Sequence, residues 1–128
     1  MLGDMNVTAT IAVKSLPKAK EFYGKTLGLE QVSIEGDEAV TYKSGDSTLL
    51  VYHSQYAGTN KATAATWIVD EDLEDLVDLV ASLKSKDVPF EHYDMPGMTR
   101  QGEVHVAKAT RAAWFKDPDG NILALVSR

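Results

Sequence analysis

Three histidines, at positions 53, 92 and 105, are the side chains best suited to proton transfer near neutral pH. His53 closes the run Leu49-Leu50-Val51-Tyr52-His53, which has the pattern of a strand, and is the foremost candidate for a general acid or base. No carboxylate is placed beside it by spacing, so a hydrogen-bonded strand-end histidine is the competing reading. Glu103 and His105 stand two apart, as two metal ligands on one strand face would, but no third ligand falls in register with them. His92 ends a short strand-like run and reads as structural or exposed. The chain has no cysteine, which excludes disulfides and thiolate metal sites.

The elements that must position these groups fit into 128 residues, enough for one domain or two small halves sharing a core. The formal charge of −6 and the absence of any Lys/Arg run argue against a nucleic-acid partner. No apolar run approaches the ~20 residues of a membrane span. The first residues, MLGDMNVTAT, lack a basic stretch followed by an apolar one, so no secretory signal is expected. A soluble cytoplasmic protein that binds neither nucleic acid nor membrane is expected.

The chain gives nearly the same instructions twice. Val7, Ala9, Ile11 and Val13 alternate with more polar residues, the period of a half-buried strand. Ser15 and Pro17 suit a helix start, Ala19, Phe22, Tyr23 and Leu27 follow at helical spacing, and Gly28 can end the helix. Ala39–Lys43 and Thr48–His53 flank Ser44-Gly45-Asp46-Ser47, which predicts a hairpin. In the second half, Thr63–Val69 reads as a strand. The acids from Asp70 to Asp78 precede or accompany Leu73, Leu76, Val77, Val80 and Leu83, a helix with a solvated acidic face. Phe90–Tyr93, Ala109–Lys116 and Ile122–Val126 follow as strands, and 94–108 reads as a long loop, either a lid or a surface excursion. Leu16 and Leu73 hold matching places 57 residues apart. Such duplication implies paired modules around a cavity.

The order of these elements, with "FYGKTLGL" ending the first helix and "DPDGN" in the last hairpin, resembles the vicinal oxygen chelate superfamily. That group includes glyoxalase I, extradiol dioxygenases, fosfomycin-resistance enzymes and bleomycin-binding proteins. The resemblance spans Val7 to Ser127. It implies an α+β fold of tandem βαβββ modules, about 5–56 and 62–128, forming one domain with a cup-shaped mixed sheet. It also implies a homodimer. Its metal-dependent members take His, Gln or Glu ligands from the first and last strands of each module. The matching positions here are Thr8, Leu49, Ala64 and Ala124. None is a usual ligand, and a shift by one residue at Leu49 or Ala64 supplies no better donor. No metal and no other cofactor is therefore expected.

Strand parity then assigns a lining to the cup. Thr8, Thr10 and Ala12 share a face, as do Ala64, Thr66 and Ile68, and Ile122, Ala124 and Val126, while Leu123 and Leu125 fall on the helix side. If Asp117 opposes Asn121, Trp114 opposes Ala124 and enters the cup. A two-residue turn at Gly45-Asp46 pairs Tyr42 with Leu49, which adds Tyr42, Leu49, Val51 and His53. Arg111 falls off that face and reads as a surface ion pair. Asp117 and Asp119 are expected to shape their loop by capping amides. A mostly apolar cup with a few polar handles suits a small apolar or aromatic ligand. A binding protein is the first expectation. A metal-independent isomerase or lyase is the alternative, and a metal-dependent lyase or dioxygenase with relocated ligands is a third.

Overall fold

A computed structural model describes every residue except Asp37, Asp72 and Arg128. The acidic run from Asp70 to Asp78 therefore includes one residue, Asp72, outside the described residues. The first strand, β1 (Ala9–Val13), leads to Ser15, whose side chain accepts a hydrogen bond from the Lys18 amide. With Pro17 in the first turn, this cap starts α1 (Leu16–Ala19). The helix then widens into a π-helical segment, Lys20–Thr26, in which the Leu27 amide reaches back to the Phe22 carbonyl at 2.8 Å. The wider turn buries the adjacent Phe22 and Tyr23 together.

Strands β2 (Glu30–Glu35), β3 (Ala39–Ser44) and β4 (Ser47–His53) complete the first sheet, in the order β1-β4-β3-β2. β1 runs parallel to β4, and the other pairs are antiparallel. The second sheet opens with β5 (Thr63–Ile68). Asp75 then caps α2 (Leu76–Ser85) through the Val77 and Asp78 amides, so the helix starts three residues beyond Leu73, which is exposed. β6 (Phe90–Glu91), β7 (Thr99–Gln101), β8 (Val104–Ala107), β9 (Thr110–Lys116) and β10 (Ile122–Ser127) follow. Their order is β5-β10-β9-β8-β7, with β6 also pairing with β9, and β5 runs parallel to β10. The segment expected to be a long loop thus contains the β7–β8 hairpin. β2, bulged between Gln31 and Ser33, carries too irregular a pattern to be read as a strand from the sequence.

One face of each sheet builds a shared core. Ile11, Val13, Val40, Tyr42, Leu49 and Val51 come from the first sheet, and Ala113, Phe115, Leu123 and Leu125 from the second. Phe22, Tyr23, Leu76, Val80 and Leu83 fill the space between. Phe115 is central, with ring centroids 5.7 Å from Phe90, 6.3 Å from Trp67 and 6.4 Å from Phe22. Three expected cup residues, Tyr42, Leu49 and Val51, are corrected here. Tyr42 does pair with Leu49 across the Gly45-Asp46 turn, but Leu49 pairs with Ala9 and Val51 with Ile11. Paired residues share a face. These three therefore lie with the core residues of β1 and not with Thr8 and Thr10, and all three are buried.

The loop Asp117-Pro118-Asp119-Gly120-Asn121 ties the two halves together. Asp117 is buried, and its Oδ1 accepts from the Asp119 and Asn121 amides at 2.9 Å each. Its Oδ2 accepts from the Tyr23 hydroxyl at 2.7 Å and from Asn121 Nδ2 at 2.8 Å. Asn121 Nδ2 also donates to the Ala12 carbonyl, and Asp119 Oδ2 accepts from the Lys14 amide. Gly58, on the connection between the sheets, donates its amide to Asn121 Oδ1 at 3.3 Å. Its φ is +72°, and a Cβ there would stand 1.9 Å from the Asp119 carbonyl oxygen. Glycine is thus required by both the backbone and the contact.

Tyr23→Phe leaves one lone pair of a buried carboxylate without its donor and is expected to cost about 1–3 kcal/mol. Gly58→Ala is expected to destabilise by at least about 2 kcal/mol, because main chain must move to admit the methyl group. Urea unfolding curves of both variants check this, and wild-type midpoints would show the tie to be dispensable.

Candidate functional site

The outer face of the second sheet collects the aromatic and titratable side chains. Register sets one row as Thr66, Ala124, Trp114 and Glu91 across β5, β10, β9 and β6. The next row is Ile68, Val126, Ala112, His105 and Arg100 across β5, β10, β9, β8 and β7. Trp114 opposes Ala124, as the turn spacing predicts. Its indole N–H donates to Thr63 Oγ1 at 3.2 Å, which anchors the half-buried ring. Ala64 faces the same way as Thr66, but a register shift removes it from the ladder, so Thr66 is the residue beside Ala124.

His105 packs against Trp114, with ring centroids 4.9 Å apart and planes at 83°. Tyr93 meets the same indole edge-on at 5.4 Å. The Tyr93 amide donates to His105 Nε2 at 3.0 Å. Burial, with a smaller contribution from Glu91, raises the Tyr93 phenol above its ordinary pKa. Glu91 in turn pairs with Lys116 at 3.0 Å. The segment 92–100 borders this corner and forms one side of an open cavity of about 580 Å³ lined by residues including Tyr93, Met95, Met98, Arg100 and His105.

His92 and Glu103 form a second group at its edge. His92 Nε2 is hydrogen-bonded to Glu103 Oε1, and Glu103 Oε2 lies 3.3 Å from Lys84 Nζ. Glu103 and His105, expected on one face, thus take different partners. Among the described residues, no three His, Asp or Glu side chains gather as a metal site. The positions that the resemblance matches to ligands carry side chains of other kinds. Thr8 Oγ1 is hydrogen-bonded to Thr48 Oγ1 at 2.7 Å, which makes Thr48 the residue beside Thr8 in place of Leu49. With Thr66 and Ala124 on the other sheet, the set offers hydroxyls and a methyl group and no strong donor.

The first sheet presents Thr8, Thr10 and Tyr52 on its own outer face, all exposed. His53 is apart from them. It pairs with Val13, on the core parity, and its Nδ1 lies 3.8 Å from Glu38 Oε2 at an exposed strand end. Arg111 is ion-paired with Glu71, off the outer face as parity predicts. The sequence reading found Trp114 and missed Tyr93 and the placement of His105. The signal was the pairing of His105 with Ala112 across a Lys108–Ala109 turn, hidden while 94–108 read as loop.

The sequence profile of the Glyoxalase/Bleomycin resistance protein/Dioxygenase superfamily matches residues 6–125. The chain belongs to this superfamily. Solved structures of similar fold include lactoylglutathione lyase from Agrobacterium tumefaciens, at 18% identity and a TM-score of 0.70, with 96% of this chain and 93% of that one covered. A glyoxalase family protein from Enterococcus faecalis gives 17% identity and 0.71, covering 98% and 99%. A genomically encoded fosfomycin resistance protein from Listeria monocytogenes gives 12% and 0.70, covering 96% and 92%. At these identities the likeness shows the fold alone. No curated protein sequence matches the chain. Among the described residues, no helix is long and apolar enough to cross a membrane.

The hydrogen bond from His92, and then Lys84, holds the Glu103 carboxyl below the ordinary value of 4.5. A depressed folded-state pKa adds stability above the unfolded value, which is lost as pH falls through the folded one. Glu103→Gln is therefore expected to show a shallower loss of stability below pH 4.5 than wild type. Denaturant melts from pH 7 downward test this, and parallel acid limbs would count against the ion cluster.

Proposed function

We propose that this chain is a small-molecule-binding member of the superfamily whose site works without a metal at the ancestral positions. One observation carries the reading. The row Thr66, Ala124 and Trp114 sets an indole directly across from Ala124, a position that the resemblance matches to a ligand. Neither Ala124 nor the hydrogen-bonded Thr8–Thr48 pair can replace His or Glu donors. What the outer face offers is aromatic surface, from Trp114 and Tyr93, beside a few polar handles. That composition suits a small apolar or aromatic molecule. The lyase named among the similar structures gives no ground for the same reaction here, since fold does not fix chemistry.

A homodimer belongs to the same reading. The first sheet leaves Thr8, Thr10, Leu50 and Tyr52 without a covering element, and a second copy could bring its Trp114 face against them. A metal-independent isomerase or lyase is the second reading. The hydrogen-bonded His92–Glu103 pair at the cavity edge favours it, because a carboxylate-held imidazole is a competent base. His53, exposed at the opposite parity, is the weaker candidate base.

Two measurements test the binding reading. Tag-free protein should carry less than about 0.1 equivalent of divalent metal after purification without chelator; about one equivalent would overturn the metal-free claim. In a thermal-shift screen of aromatic metabolites, a ligand at about a hundredfold excess over Kd should raise the Tm by about 5–10 °C. Trp114→Ala should weaken that ligand by at least about tenfold. Equal stabilisation of both proteins would remove Trp114 from the site.

A further inference from the structure

The cavity under the 92–100 segment sharpens the binding reading just given, on which this inference rests, by specifying what the ligand carries. His105 is only 1% exposed and lines that cavity. Its Nε2 accepts the Tyr93 amide hydrogen, so the ring proton lies on Nδ1. Nδ1 is buried and has no hydrogen-bond partner. A buried donor left unpaired costs free energy that an acceptor entering from the cavity would restore once side-chain movement admits it, since Nδ1 is closed to water as the structure stands.

Arg100 directly opposes His105 in the β7–β8 pair and lines the same cavity. Three cations of the same half are matched: Lys84 with Glu103, Arg111 with Glu71 and Lys116 with Glu91. Among the described residues, Arg100 has no such carboxylate. Two adjacent donors, one a guanidinium, match the two oxygens of a carboxylate. Asp94 also lines the cavity and disfavours a ligand with a second negative charge. The rest of the wall includes the Tyr93 ring, which stacks on His105 at 6.5 Å, with Met95, Pro96 and Met98. Methionines and an aromatic ring form a soft apolar surface that adapts to a flat ligand.

We propose that this cavity binds an aromatic monocarboxylate. Its carboxylate takes the Nδ1–H of His105 and the guanidinium of Arg100, and its ring lies against Tyr93, Met95 and Met98. The probes are 2-naphthoate and the uncharged 2-naphthalenemethanol, titrated calorimetrically into the full chain. Arg100→Ala replaces an exposed side chain and should leave the fold intact. It should weaken naphthoate by at least about tenfold and change the alcohol by less than about twofold. In proton–nitrogen spectra of the histidine side chains, naphthoate should move the His105 Nδ1–H resonance downfield.

Equal naphthoate affinity for wild type and Arg100→Ala, or an unmoved His105 signal, overturns the cavity assignment. If Trp114→Ala still weakens both probes in that case, the broader aromatic-binding reading survives without it. If neither probe binds wild-type protein, both readings fall.

Discussion

The buried carboxylate of Asp117 is the constraint on which this molecule is built. Among the described residues it has no cationic partner, and it is stabilised by four hydrogen bonds: from the Asp119 and Asn121 amides, Asn121 Nδ2 and the Tyr23 hydroxyl. Burying a charge this way is costly unless its acceptor positions are filled. The geometry that fills them also fixes the chain. Tyr23 belongs to the first helix, and Asn121 and Asp119 reach the backbone of Ala12 and Lys14 at the end of the first strand. The last hairpin is thus bound to the opening elements across more than ninety residues of sequence. Burial pushes the Tyr23 hydroxyl up, with the Asp117 charge adding to it, so it stays a donor.

Once that tie is made, strand parity does the rest. The tied elements present their apolar faces to one another, and Phe115 sits among Phe22, Phe90 and Trp67. Each sheet must then turn its other face outward. On the first sheet that face is threonine-rich and exposed. On the second, which the β7–β8 hairpin extends, it is covered in part by the 92–100 segment.

Much of this was legible in the sequence. Alternation in Val7–Val13, the cap at Ser15 and the turn at Asp117–Asn121 gave the strand, the helix start and the Trp114–Ala124 pairing. The Tyr42–Leu49 pairing was legible too, yet both residues were assigned to the wrong face. A hairpin register fixes which residues oppose each other and leaves open which side meets the core; only the parallel pairing of β1 with β4 decides that. Apolar composition pointed the right way, since Leu49, Val51 and Tyr42 are what a core face would hold. The alignment of Leu49 with a ligand position outweighed it. Thr48, hydrogen-bonded to Thr8, is the true neighbour. The β7–β8 hairpin was hidden for another reason. Its strands are three and four residues long, and the next turn, from β8 to β9, uses a positive φ of 51° at Lys108, a non-glycine residue that no turn signature announces.

The same hairpin bears on the binding proposed for the outer face. Most polar side chains there are paired within the chain: Trp114 with Thr63, Lys116 with Glu91, His92 with Glu103. A face whose polar groups were all satisfied would be inert surface, fit to be covered but with nothing to select a partner. The hairpin breaks that balance. It places His105 under the Tyr93 amide, which commits one ring nitrogen, and leaves the other buried and unmatched beside Trp114. In the binding proposed above, a ligand that supplies the acceptor recovers what folding left unpaired, and the aromatic rings beside it add contact for a flat molecule.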